Sequence, residues 1–218
     1  MLESTISTNE NKIDYYKLAL ILAYITIFYN LIEGLVSVFL GYEDAALSLF
    51  GFGLDSFVEV LSGIGILHML MRIKNNGNTN PDEFEKTALK ITGTSFYILT
   101  AGLAVSAVVN FISGHKPETT FWGMIIGLIS IGSMWLLIYY KLKTGKALNS
   151  KAIIADANCT KACLYLSVVL LASSAGYELT GIGGIDSLGA ILIAYFAFKE
   201  GRESFEKAKG ITCSCGHD

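Results

Sequence analysis

Charge is scarce in this sequence. Lys, Arg, Asp and Glu make up 16% of its 218 residues, against 52% hydrophobic residues, and the mean hydropathy is +0.52. Such values exclude an ordinary soluble domain, because several apolar runs must occupy most of the chain; they predict an integral membrane protein with the lipid bilayer as its first partner. A clustered basic surface is missing too: the formal net charge is -3, and Lys and Arg are spread over short loops. Phosphate-binding proteins concentrate cations on one face, so nucleic acid is excluded as a partner. Residues Met1 to Asp14 contain no apolar segment with a small-residue cleavage site, and no signal peptide is expected. Cysteine is also sparse, four in all, and a few cysteines in a membrane protein often serve as small buried filler. Here they form two pairs, Cys159 with Cys163 and Cys213 with Cys215.

A helix needs about 20 mostly apolar residues to cross the ~30 Å hydrocarbon layer. Six stretches qualify, near 16–40, 45–71, 86–113, 120–142, 150–176 and 184–204. The expected fold is therefore all-α: a short segment over 1–15, a bundle of six transmembrane helices over 16–204, and a tail over 205–218. Gly41 to Asp44, Lys74 to Pro81, Ser113 to Glu118, Lys141 to Lys151 and Gly181 to Gly184 mark the breaks. Gly51, Gly53, Gly63 and Gly65 would be costly in a soluble helix, but small residues let membrane helices approach closely, so the second helix is expected to sit among neighbours. Arg72, Lys74, Lys86, Lys141, Lys143, Lys146, Lys151, Lys199, Arg202, Lys207 and Lys209 fall on one side. Glu43, Asp44, Glu118 and Glu178 fall on the other with Lys116. The positive-inside rule then puts both termini in the cytoplasm, as for a protein of the inner or plasma membrane. The tail, Glu203 to Asp218, leaves no room for a folded cytosolic domain.

Ionisable groups inside an apolar helix are expensive and usually face a cavity or the bundle interior. Asp55 and Glu59 stand at i and i+4, on one face and about 6 Å apart. Two carboxylates that close cannot both stay charged in a low dielectric without a cation or proton between them; the alternative is a structural pair hydrogen-bonded to a neighbouring helix. Cys159 and Cys163 share the same spacing on the fifth helix, with Asp156 one turn earlier on that face. Counted from the cytoplasmic ends, the two pairs lie within roughly one helical turn in depth, so they can form one four-ligand site. An intrahelical disulfide is disfavoured at this spacing. Two carboxylates with two thiolates suit Zn²⁺ or Cd²⁺, while Mg²⁺ and Ca²⁺ prefer oxygen alone; Fe(II), Cu(I) and Hg²⁺ remain open.

Other polar positions are less specific. Asn30 and Glu33 lie inside the first helix, Glu33 as either a proton site or a structural hydrogen-bond partner. Asp186 follows a Gly-rich turn and reads as an N-cap of the sixth helix. His68 reads as a satisfied structural histidine. Cys213, Cys215 and His217 bring two thiols and an imidazole into five residues, either a soft-cation capture site or a disordered end.

These residues resemble the motifs of the cation diffusion facilitator family of six-helix divalent-metal transporters. Ala46 through Asp55-Ser-Phe-Val-Glu59 is similar to that family's second-helix pattern ending in D-S-x-x-D. Ser150 through Asp156-Ala-Asn-Cys159-Thr-Lys-Ala-Cys163 is similar to its fifth-helix pattern S-x-A-x-x-A-D-x-x-H-x-x-x-D. The resemblance covers about 30–204. It implies that Asp55 and Glu59 stand at the two acidic ligands, Cys159 at the histidine and Cys163 at the aspartate that partners them. Glu in place of the second Asp lengthens the reach, and Cys-x-x-x-Cys in place of His-x-x-x-Asp softens the site. The missing histidine removes a ligand that titrates near neutral pH, so thiols or carboxylates would exchange protons with the metal. The short tail resembles the family's minimal, transmembrane-only members, in which a homodimer would form through membrane helices.

The expected function is export of a thiophilic divalent cation, Zn or Cd, by alternating access against inward proton flow. The metal would enter near Asp156 as transported cargo, with no tightly bound cofactor. A metal sensor or accessory subunit without flux is the second reading. An enzyme is disfavoured: thiol oxidoreductases place their cysteines two apart at a helix start, and a hydrolase would want its carboxylates on different helices.

Overall fold

The computed structural model describes the backbone of residues 2–76 and 83–209, with side chains described from Tyr15 onward at most of those positions. Cys213, Cys215 and His217, the tail cluster singled out in the sequence, lie outside the described residues. The helices are α1 (Leu2–Glu43), α2 (Leu47–Asn76), α3 (Glu83–Ser113), α4 (Phe121–Ala147), α5 (Lys151–Thr180) and α6 (Gly184–Ala208). Every expected helix is present, and most run past their apolar stretch, because backbone hydrogen bonding continues where hydropathy stops. α1 thus begins at Leu2 rather than near residue 16. The ends of α5 show the local chemistry. Ser150 caps its start by accepting from Ile153 N, and Gly181, at φ 67°, closes it in the left-handed region with its N–H on Tyr177 O.

Helices α1 to α5 are long and apolar enough to cross a membrane. α6 falls short because Lys199, Glu200, Arg202, Glu203, Glu206 and Lys207 crowd its last turns. It is held instead by its buried small face, Gly189, Ala190, Ala194, Ala197 and Gly201.

The helices associate most closely as α1 with α2, α3 with α6, and α4 with α5. Glycine makes all three approaches close; on α3, a Cβ on Gly93 would lie 3.0 Å from Gly201 O of α6. A Cβ on Gly41 would run into the backbone of Phe50, and one on Gly53 would stand 2.7 Å from Val38 N, so α1 and α2 touch backbone to backbone. Between α4 and α5, a Cβ on Gly127 would lie 3.1–3.3 Å from Leu171, and one on Gly145 3.2 Å from Ile154 N. The largest buried cluster, with Leu49, Phe52, Leu103, Leu166, Leu170 and Ile193, fills the space among α2, α3, α5 and α6.

The acidic ends of the bundle are tied together. Glu118 N donates to Asp44 O (2.8 Å), and Glu178 on α5 accepts from Thr119 Oγ1 (2.7 Å) and Thr120 N at the start of α4. Burial, with Glu118, Glu43 and Glu178 nearby, raises the Asp44 carboxyl above its ordinary range. Asp186 corrects the sequence expectation: the N-cap of α6 is Gly183, and the Asp186 carboxylate instead caps α2 across the bundle. It accepts from Leu47 N (2.8 Å), Ser48 N (3.1 Å) and Ser48 Oγ. Two orphan amides at the start of α2 are thereby satisfied by a side chain from α6. Asp186→Ala is expected to cost about 1–3 kcal/mol and to fray the first turn of α2. Equilibrium unfolding, with hydrogen exchange at Leu47 to Phe50, checks both.

Candidate intramembrane cation site

Asp55 and Glu59 lie on α2 where it passes through the bundle interior. Asp55 is 2% exposed, and its Oδ1 has no hydrogen-bond partner. Glu59, one turn further along, bridges two other helices. Its Oε1 accepts from Cys163 Sγ on α5, and its Oε2 accepts from Asn30 Nδ2 on α1 at 3.0 Å. Cys163 is buried and also leans on Cys159 O at 3.6 Å. The structure therefore joins one carboxylate of the second-helix motif to one thiol of the fifth-helix motif, although 104 residues separate them in the chain.

Cys159 is placed differently. Its Sγ accepts from Lys207 Nζ on α6 at 2.9 Å, and the same ammonium lies 3.9 Å from Glu203. Among the described residues, no three His, Cys, Asp or Glu side chains converge as a metal-binding group. Of the four residues expected as ligands, the structure brings Glu59 and Cys163 together and leaves Asp55 and Cys159 each one turn along its own helix.

Asp156, expected at the metal's point of access, is buried and neutralised. Lys141 Nζ lies 3.0 Å from its Oδ2 and 3.1 Å from its Oδ1, and donates as well to Thr160 Oγ1 (2.9 Å). Lys141 had been counted among the loop cations that set topology. The structure instead makes it part of α4 and leaves it 1% exposed, because Asp156 and Thr160 on α5 supply the polar partners that an ammonium needs away from water.

Glu33 on α1 sits in a hydroxyl cradle, accepting from Tyr29 OH (2.8 Å) and Ser56 Oγ (3.2 Å). Nearby, Ser167 Oγ donates to Ser130 Oγ (2.8 Å), which continues the polar lining between α4 and α5. His68 is half-buried on α2.

Three participants were not read as site residues. In the sequence Asn30 reads only as an intramembrane polar residue and Lys207 only as one of the cations that set topology, and Glu200 is not singled out at all. Glu200, on α6, lies within electrostatic range of Asp55, Glu59, Cys159 and Cys163. Its signal in the sequence was faint: a charge on the heels of the apolar run Ile191 to Phe198.

A bundle of apolar helices that buries carboxylates, thiols and a carboxamide against one another is a multi-pass membrane protein organised around an intramembrane polar site. The chain belongs to the cation efflux family: residues 18–210 match its transmembrane domain. Among curated proteins it is similar to an uncharacterized transporter of Methanocaldococcus jannaschii, 27% identical over 174 residues, which is 78% of this chain and 61% of that protein. It is also similar to the manganese efflux system protein MneP of Bacillus subtilis, 27% identical over 194 residues, 81% of this chain and 63% of that protein. The chain thus spans about six-tenths of the length of these relatives.

Proposed function

We propose that this protein exports a divalent transition-metal cation through a site shared by α2 and α5, with Asp55, Glu59, Cys159 and Cys163 as ligands. The observation that carries the proposal is the contact of Glu59 with Cys163, which sets a carboxylate and a thiol from two helices against each other in the membrane interior. A thiol and a carboxylate that share a proton form a donor pair from which a metal ion can displace that proton. This chemistry supports exchange of metal for protons across the membrane. The sulfur donors favour a borderline to soft ion, Zn²⁺ or Cd²⁺. MneP is named for manganese efflux, and the oxygen donors Asp55 and Glu59 support Mn²⁺ as a second cargo.

In this reading the basic end of the bundle faces the cytoplasm. A metal arriving there meets Cys159 held by Lys207. Engaging that sulfur requires the ammonium to withdraw, so a mobile cation replaces a tethered one and the buried charge stays balanced. Asp156, already paired with Lys141, holds α4 to α5 and is not a ligand. The protein acts as a transporter rather than an enzyme.

Liposomes containing the purified full chain, with a metal-sensitive dye inside, are expected to take up Zn²⁺ or Cd²⁺ while the luminal pH rises. Joint substitution of Cys159→Ala and Cys163→Ala is expected to lower that flux at least ~100-fold, beyond the loss typical of an outer-shell partner. Metal binding without flux would make the protein a sensor or accessory subunit, and retained flux in the double variant would move the site elsewhere.

A further inference from the structure

Asn30 of α1 is 1% exposed and reaches Glu59 on α2. Its carboxamide is half used. Nδ2 donates to Glu59 Oε2 at 3.0 Å, and Oδ1, equally buried, has no partner. Asp55 Oδ1, on the residue one turn before Glu59 on α2, is also buried and without a partner. A neutral carbonyl oxygen left unpaired in a membrane interior is costly, and native structures rarely keep one without a use. The residue that carries this carboxamide oxygen donates to Glu59, and Glu59 in turn holds the Cys163 thiol. The adjoining serines do not consume either unpartnered oxygen: Ser56 Oγ is taken up with Glu33 and Phe52 O, and Ser130 with Ser167.

Carboxamide oxygens are hard, neutral donors. They ligate Mn²⁺, Mg²⁺ and Ca²⁺ well and add little for thiophilic ions. We infer that Asn30 Oδ1 is an oxygen ligand of the transported cation, contributed by α1, and that it sets how well the site accepts harder divalent ions such as Mn²⁺ beside Zn²⁺ or Cd²⁺. The inference rests on the reading of Asp55, Glu59, Cys159 and Cys163 as the transport site. It adds to the two ligand-bearing helices a third, and it accounts for an apolar α1 carrying a buried carboxamide at this level. Nδ2 on Glu59 anchors the group beside that carboxylate, and Oδ1 has no competing donor. Adding a neutral oxygen leaves the charge of the site unchanged, so its effect falls on selectivity more than on total charge balance.

The test uses the full chain in lipid nanodiscs, with Mn²⁺ and Cd²⁺ titrated separately into wild type, Asn30→Leu, Asn30→Asp and Glu59→Ala. Asn30→Leu is expected to weaken Mn²⁺ binding at least about tenfold and Cd²⁺ binding less than about threefold, whereas Asn30→Asp, which restores an oxygen but lacks the Nδ2–H donor, keeps Mn²⁺ affinity. X-ray absorption on the Mn²⁺-loaded protein is expected to lose one oxygen neighbour in Asn30→Leu. Equal losses for both metals in Asn30→Leu, with Asn30→Asp no better, would reduce Asn30 to a residue that only positions Glu59 and would overturn the inference. So would an unchanged Mn²⁺ to Cd²⁺ ratio. Either result leaves the transport site standing as long as Glu59→Ala abolishes binding. Unchanged binding in Glu59→Ala would overturn the site and the inference together. Should Asn30→Leu fail to insert, Asn30→Ala, smaller and equally without a side-chain oxygen, carries the same comparison.

Discussion

Replacing Glu59 by alanine is expected to abolish metal binding and flux, a loss of at least ~100-fold that exceeds the effect of removing an outer-shell partner. One side chain serves both halves of the site. Oε2 receives Asn30 from α1 and Oε1 receives Cys163 from α5, so the substitution separates the second-helix and fifth-helix motifs as well as removing a ligand. Glu59→Gln separates the two contributions. It keeps the size of the side chain and an acceptor oxygen, so the bundle is expected to unfold at nearly the wild-type denaturant concentration while metal binding still falls. Binding by calorimetry and stability by denaturant titration are the paired measurements. A Glu59→Ala protein that folds and still moves metal would place the cargo elsewhere in the bundle.

The second large effect is on stability. Lys141→Met is expected to destabilise the protein by about 3–5 kcal/mol, because it strands the Asp156 carboxylate in the bundle without the ammonium that both of its oxygens contact. Removing both charges is a different matter. The double variant Lys141→Met with Asp156→Leu is expected to recover most of the loss, since a buried ion pair carries a desolvation cost that a well-packed apolar pair avoids. Equilibrium unfolding in bicelles measures the cycle of single and double variants. Equal destabilisation by the single and the double variant would mean that Lys141 acts through packing of its long stem, not through its charge.

The fold was legible in the sequence wherever physics is local. The length of an apolar run fixes a membrane helix, and Gly181 and Ser150 mark helix ends through backbone conformation and a capping hydroxyl. The pairing of Glu59 with Cys163 was also within reach, since an i and i+4 spacing on each helix leaves one polar face that has to meet another. Less was legible where a residue's environment comes from a distant segment. Lys141 looks like a loop lysine because apolar residues end just before it, and nothing nearby in the chain reveals that Asp156 and Thr160 will cover it. Asp186 carries the correct chemistry for a cap, but the helix it caps is 138 residues away. Lys207 belongs to a charged helix end in the sequence, and only the packing of α6 against α5 brings its ammonium to Cys159. The carboxamide of Asn30 gave the faintest signal, because its significance lies in one oxygen having a partner and the other having none.

The glycines at which α1 meets α2 and α4 meets α5 have a mechanical consequence. Backbones in direct contact cannot slide past each other cheaply, so each pair behaves as a stiff slat, the second further pinned by the Lys141–Asp156 pair. In the transport proposed above, motion that opens the molecule to one side of the membrane would concentrate at the seam between the slats. Glu59 and Asn30 stand on one bank of that seam and Cys163 on the other, joined by a single thiol-to-carboxylate hydrogen bond. In the transport proposed above, an ion held by ligands from both banks would join them more firmly than the Glu59–Cys163 hydrogen bond does alone. The ion would then set the stiffness of the machine that moves it.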